Sequence, residues 1–251
     1  MQLSTSFGLP SLAAAIVCLA VATSTQAAPL IANGGFEAGL ASWTTVDQVG
    51  SDGTFFVQAG TLSPLNATSV PAPPQGAQAA MTDSFGPGAH LLYQDFVVSG
   101  NGGILGFSLF IGNLAGQFAI PPGGSLDFAL TNQIGSQTLN QQARVDILSA
   151  GADPFSVAAT DVLLTLFQTN IGDSLVSGYT DYAFDISSLF AAHAGETLRL
   201  RFAETDNVGP FQFGVDNVRI ETVPEPATTL LVVAGLLATL LAGGARLRRV
   251  L

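Results

Sequence analysis

The chain has 251 residues, with seven basic side chains against eighteen acidic ones and a formal net charge of −11. All seven bases are arginine, and residues 28 to 222 hold only four of them against seventeen acids, a formal balance of −13. A surface this acidic repels the phosphates of nucleic acid and anionic lipid, and suits neutral sugars and divalent cations as partners.

The N-terminus reads as an export signal. Leu9 to Ala22 is largely apolar and Thr25-Gln26-Ala27 places small residues before a cut, so residues 1–27 are expected to be a signal peptide removed by signal peptidase after Ala27. No Lys or Arg precedes the apolar run, which makes the signal atypical or the start misplaced. Cys18 follows Val17, where a lipoprotein signal would want a small residue, and it leaves with the signal. The remaining chain then has no cysteine, which excludes disulfides, thiolate catalysis and cysteine-ligated zinc.

Residues 28–222 read as one all-β domain. After Asn33-Gly34-Gly35-Phe36-Glu37-Ala38-Gly39 and Ser42-Trp43, whose glycines suit tight turns, come short alternating runs bounded by Gly, Pro and Asn. Strands are expected over 53–58, 76–82, 89–98, 103–111, 126–130, 141–148, 161–169, 181–186, 197–203 and 211–220, with proline-rich loops at 63–75 and 112–124. Ser187 to Gly195 reads as a helical turn or loop, and Asp216-Asn217 interrupts the last strand as a bulge. Leu198, Leu200 and Phe202 face the core while Arg199 and Arg201 face out. About ten short strands without a long periodic helix predict two packed antiparallel sheets, an antiparallel β-sandwich.

The last 29 residues change character. Ala227 to Ala245 is 19 residues without a charge, long enough as a helix at about 1.5 Å per residue to cross a hydrocarbon core. Arg246, Arg248 and Arg249 follow and hold that end on the cytoplasmic side, which places residues 28–222 across the membrane. A buried core helix would show a polar face and would rarely end in an arginine cluster. Pro224 and Pro226 flank Glu225 and stiffen an extended, exposed spacer ahead of the span.

Pro224-Glu225-Pro226, the apolar span and the basic end together resemble the PEP-CTERM sorting tail of exopolysaccharide-producing Gram-negative bacteria. The resemblance covers residues 223–251. It implies recognition of the tripeptide by an exosortase, a membrane-embedded cysteine transpeptidase that cuts and transfers its substrates. A plain single-pass anchor with a linker is the alternative. The opening Asn-Gly-Gly-Phe-Glu-Ala-Gly, the following Trp43 and the closing strand Gly214 to Glu221 resemble the ends of carbohydrate-binding-module-like, galactose-binding-like jelly rolls. That resemblance implies a structural calcium shared by Glu37 and Asp216 with carbonyls near Gly35, oxygen ligands that suit Ca²⁺. The alternative is that Glu37 caps a turn and Asp216 solvates a bulge.

No nucleophile elbow, zinc-protease, phosphate-loop or dinucleotide motif is present. Only His90 and His193 exist, both expected in loops. The pairs Asp181/Asp185 and Glu204/Asp206 are the available glycosidase couples, read instead as a solvated strand face and a loop. Trp43, Tyr93, Tyr179 and Tyr182 are the candidates for a sugar platform, and a lone Trp is more often core. The expectation is an exported, non-enzymatic surface or matrix protein, structural or adhesive in the exopolysaccharide layer. A glycan-binding module is the first alternative and a glycoside-active enzyme the second; no ligand site is assignable from the residues.

Overall fold

A computed structural model describes residues 29–222 except 84, 100 and 101. The signal peptide, the Pro-Glu-Pro motif, the 227–245 span and the terminal arginines lie outside the described residues. Ten strands run among those described: β1 (Thr44–Asp47), β2 (Phe55–Ala59), β3 (Gln78–Thr82), β4 (Gly88–Val97), β5 (Gly103–Asn113), β6 (Gln141–Ser149), β7 (Val162–Gln168), β8 (Thr180–Asp185), β9 (Thr197–Asp206) and β10 (Phe211–Thr222). One short helix, α1 (Ser187–Ala192), lies between β8 and β9 and buries Phe190.

The strands form two five-stranded antiparallel sheets, β1-β4-β9-β6-β7 and β2-β3-β10-β5-β8. With the edge strands β1 and β2 set aside, β3-β10-β5-β8 faces β4-β9-β6-β7. This is the order of a jelly roll, two Greek keys wound together. The inward alternation of each sheet supplies one continuous core, in which Leu92, Val145, Leu200 and Phe202 meet Leu105, Phe107, Leu109, Phe213 and Val215. Phe107 and Phe202 cross edge to face at 5.5 Å between ring centroids, which joins the two sheets at mid-thickness.

Three expectations need correction. Residues 126–130 are not a strand, because Asp127 turns the chain by accepting the Ala129 N–H. The apolar residues that mimic alternation there are anchors, with Leu126 packed on Leu91 and Ala203 over the outer face of the first sheet. The tenth strand is instead β1, an exposed edge strand paired to β4, whose mostly exposed side chains give no hydrophobic alternation to read. Arg201 does leave the outer face of β9, yet it is fully buried there.

What covers Arg201 is the loop after β6. Its guanidinium donates through Nη1 to the carbonyls of Pro154 and Ser156 at 2.6 and 2.8 Å and through Nη2 to the Asp146 carboxylate. Asp146, also fully buried, accepts from Arg144 through both oxygens at 2.7 Å. One carboxylate thus compensates two guanidiniums, and desolvation lowers the pKa of Arg201 despite that partner. Removing the only anion from such a network leaves buried charge uncompensated. Asp146→Asn is expected to cost about 3–5 kcal/mol in chemical denaturation. Glu221→Gln, which breaks the solvent-exposed pair with Arg219, is expected to cost under about 1 kcal/mol. Equal effects of the two substitutions would contradict the buried network.

Candidate functional site

The first turn of the domain meets its last strand. The Gly34 carbonyl accepts the Val218 N–H at 2.8 Å, and a Cβ on Gly34 would stand 1.8 Å from the Val218 carbonyl oxygen. Glycine at 34 is therefore required by close approach. Of the three glycines in this turn only Gly39 has a positive φ (64°), while Asn33 and Phe36 take the left-handed region at 50° and 55°. Asn33 tolerates this because its side-chain amide donates to the Gly39 and Ala41 carbonyls, both at 2.9 Å. Phe36 is held there by burial against Trp43, 5.3 Å away between ring centroids. Gln94 on β4 ties the turn to the first sheet through the Ala32 N–H and the Ala32 and Ser42 carbonyls.

Glu37 and Asp216 sit on either side of the segment that leads into β3. Asp216 Oδ2 accepts the Gln75 N–H at 2.9 Å, and Glu37 Oε1 accepts the Ala77 and Gln78 N–H groups at 2.8 and 2.9 Å. Gly76 lies between them with φ +64°, and a Cβ there would stand 2.3 Å from Glu37 Oε1. The register of β10 against β5 shifts between Asp216 and Arg219, so the expected bulge is present, with Asn217 at φ 54°. Burial, with a smaller contribution from the Glu37 charge, pushes the Asp216 carboxyl up to about 6. No ion pair among the described residues includes either acid. The two residues singled out from opposite ends of the chain therefore converge on one turn.

The second polar cluster was not expected. His90 lies on β4 and Glu204 and Asp206 on β9, not in loops. In the ladder His90 pairs with Glu204 and Gly88 with Asp206, and the alternation that sends Leu92 and Phe202 into the core sends these polar groups inward at its end. All three are 1% exposed. Asp206 Oδ1 accepts the Gly88 N–H at 2.7 Å, and His90 Nδ1 is 2.8 Å from Asp47 Oδ1. Burial raises Glu204 well above the usual carboxylate range and pushes Asp206 up to about 7. The signal that could have located the cluster is the break in inward apolar alternation at His90 and Glu204, both on expected or adjoining strand ends.

The aromatic candidates scatter. Trp43 is 8% exposed, packed at a tilt between Phe36 and Phe202, and donates its indole N–H to the Asn33 carbonyl. Tyr179 is half-buried and donates to Gln58 Oε1. Tyr182 packs against Phe107, Phe167 and Phe184. Tyr93 lies under the Arg199 guanidinium, 4.0 Å from ring centroid to Cζ, on the outer face of the first sheet. None of the four is an open platform. Of the carboxylate pairs, Asp181 and Asp185 point outward from β8, with Asp181 accepting from Ser108.

No family model matches the sequence, and no curated protein does. Among solved structures, the K3 cleaved adhesin domain of Lys-gingipain from Porphyromonas gingivalis is 18% identical, with 77% of this chain and 97% of that one covered, at a TM-score of 0.46. A carbohydrate-binding module, TmCBM61, solved with β-1,4-galactotriose, is 11% identical, with 78% and 100% covered, at 0.45. The cyclase Fisc from Fischerella sp. TAU is 17% identical, with 78% and 98% covered, at 0.43. The likeness is to β-sandwich domains of differing function, and no function is taken from it.

The contact of Gly34 with Val218 yields a direct check. Gly34→Ala is expected to destabilise the domain by about 1–3 kcal/mol or more through forced overpacking of backbone on backbone. Gly151→Ala, with open space around the added carbon, should stay within about 0.5 kcal/mol. Thermal unfolding of the two variants that shows no difference would place the first turn elsewhere.

Proposed function

We propose that this chain is an exported, non-catalytic β-sandwich with a structural or adhesive role in an exopolysaccharide layer. In this reading residues 223–251 are a sorting tail taken by an exosortase from the inner membrane, with the sandwich outside the cytoplasm. The observation that carries the reading is where the sandwich closes. β10 stays paired to β5 through Thr222, whose partner Gly103 is the first residue of β5, and in the sequence Pro224-Glu225-Pro226 follows two positions later. Among the described residues no helix is long and apolar enough to cross a membrane. The burial of Glu204, 1% exposed, counts against the Glu204/Asp206 glycosidase couple.

A structural calcium at Glu37 and Asp216 fits this reading. Two carboxylates meet there without a cationic partner among the described residues, and oxygen donors from both ends of the domain suit a hard divalent ion. When bound, the ion would neutralise the charge gathered at that turn. The glycan-binding alternative is favoured by one observation. A hollow of about 330 Å³ is lined by Gly86, Pro87, Gln137, Asp206 and Asn207, and Phe85, the residue before Gly86 in the chain, is 45% exposed. No binding of host polysaccharide by the wild-type chain would remove that alternative, and an isotherm that Phe85→Ala leaves unchanged would remove this hollow as its site.

The sorting claim is tested by intact mass and C-terminal sequence of the protein from its host, compared between membrane and extracellular fractions. The expected wild-type product ends near Pro226, and Glu225→Ala is expected to leave the full chain in the membrane. A wild-type chain that still ends at Leu251 would reduce the tail to a simple anchor.

A further inference from the structure

We propose that His90, Glu204 and Asp206 form a binding site for one first-row divalent cation of the zinc type, separate from the Glu37/Asp216 turn and independent of the sorting role. One donor atom from each residue lies within 4.8 Å of the others, a separation that small side-chain movements would close onto a single ion. Each residue also carries a buried polar atom with no hydrogen-bond partner: His90 Nε2, Glu204 Oε1 and Asp206 Oδ2. Three such atoms in one cluster are unusual, because a buried polar atom left unpaired costs about 1–3 kcal/mol. A cation would satisfy all three at once.

The surroundings are shaped to leave these atoms open. A Cβ on Gly86 would stand 2.1 Å from Asp206 Oδ2, and one on Gly88 would stand 2.3 Å from His90 Nε2. The other atom of two of these groups is already committed: Asp206 Oδ1 accepts the Gly88 N–H, and Asp47 sits 2.8 Å from His90 Nδ1. A carboxylate on the far nitrogen of an imidazole fixes its tautomer and turns the near nitrogen toward a metal as acceptor. Asp83, 2% exposed, adds a further negative charge near the cluster while its oxygens accept the Thr54 and Phe85 N–H groups. The only base among these side chains is His90.

One imidazole nitrogen with two carboxylate oxygens favours Zn²⁺ over Ca²⁺ or Mg²⁺, which prefer all-oxygen shells. Three protein ligands leave a fourth position. Asp206 also lines the hollow between Pro87 and Val208, so that position has a route to water or to an oxygen of an external ligand.

The test is calorimetric titration of the chelator-stripped, full-length chain in detergent with Zn²⁺, in the presence of excess Ca²⁺ to occupy any all-oxygen site. Uptake of one equivalent is expected, with a rise in melting temperature on loading. Glu204→Gln keeps the shape, takes away one carboxylate ligand, and is expected to abolish that uptake. Asp47→Asn, at a residue outside the ligand set, is expected to weaken it roughly 10–100-fold. No zinc uptake by the wild-type chain, or uptake that survives Glu204→Gln, would overturn the proposal. Should Glu204→Gln fail to fold, an affinity unchanged in Asp47→Asn would overturn it instead.

Discussion

The fold depends on a backbone contact: the first turn of the domain lies so close to its last strand that no side chain fits between Gly34 and Val218. That contact needs the bulge at Asp216-Asn217, because an unbroken β10 would continue its ladder straight past the turn. The bulge in turn directs Asp216 toward Gln75, where Glu37 arrives from the other end of the chain to cap the start of β3. Three segments remote in sequence are thus fastened by carboxylates that accept backbone N–H groups. The first turn adds Phe36 and Trp43 to the core, so its attachment also decides how well that core is filled.

The two polar clusters differ in how their charge is handled. Around Glu37 and Asp216 the acids are spent on backbone amides and one of them is exposed, so the turn is held together before any ion is considered. At His90, Glu204 and Asp206 the acceptors outnumber their donors and lie in the closed end of the sandwich. The Arg144–Asp146–Arg201 network on the outer face is a third case, where two guanidiniums share one carboxylate beneath a loop and a single atom, Arg201 Nε, is left without a partner. Burial alone therefore does not distinguish a structural network from a site. Between these two buried clusters the number of unpaired atoms, three against one, does.

Much of the architecture was legible in the sequence because sandwich strands alternate. Leu198, Leu200 and Phe202 against Arg199 and Arg201 is a pattern that only a two-faced strand produces, and the β10 bulge showed as a pair of polar residues where alternation required one. What failed did so for physical reasons. Thr44 to Asp47 has no buried face to mark it, while Leu126 and Phe128 are loop anchors that imitate a strand. The Glu37/Asp216 turn was accessible through resemblance at the two ends of the domain. His90 with Glu204 was not, since the two are 114 positions apart and meet only through the β4–β9 register.

The central claim is that the Glu37 and Asp216 carboxylates lock the first turn, the approach to β3 and the last strand into one unit, which the proposed Ca²⁺ would close. Site-resolved hydrogen exchange of the full-length chain, with Ca²⁺ and with chelator, tests it most directly. The account predicts that the amides of Gln75, Ala77, Gln78 and Val218 exchange at a common slow rate with Ca²⁺, and that chelator speeds all four together. Four unrelated rates, or rates that chelator leaves unchanged, would contradict it.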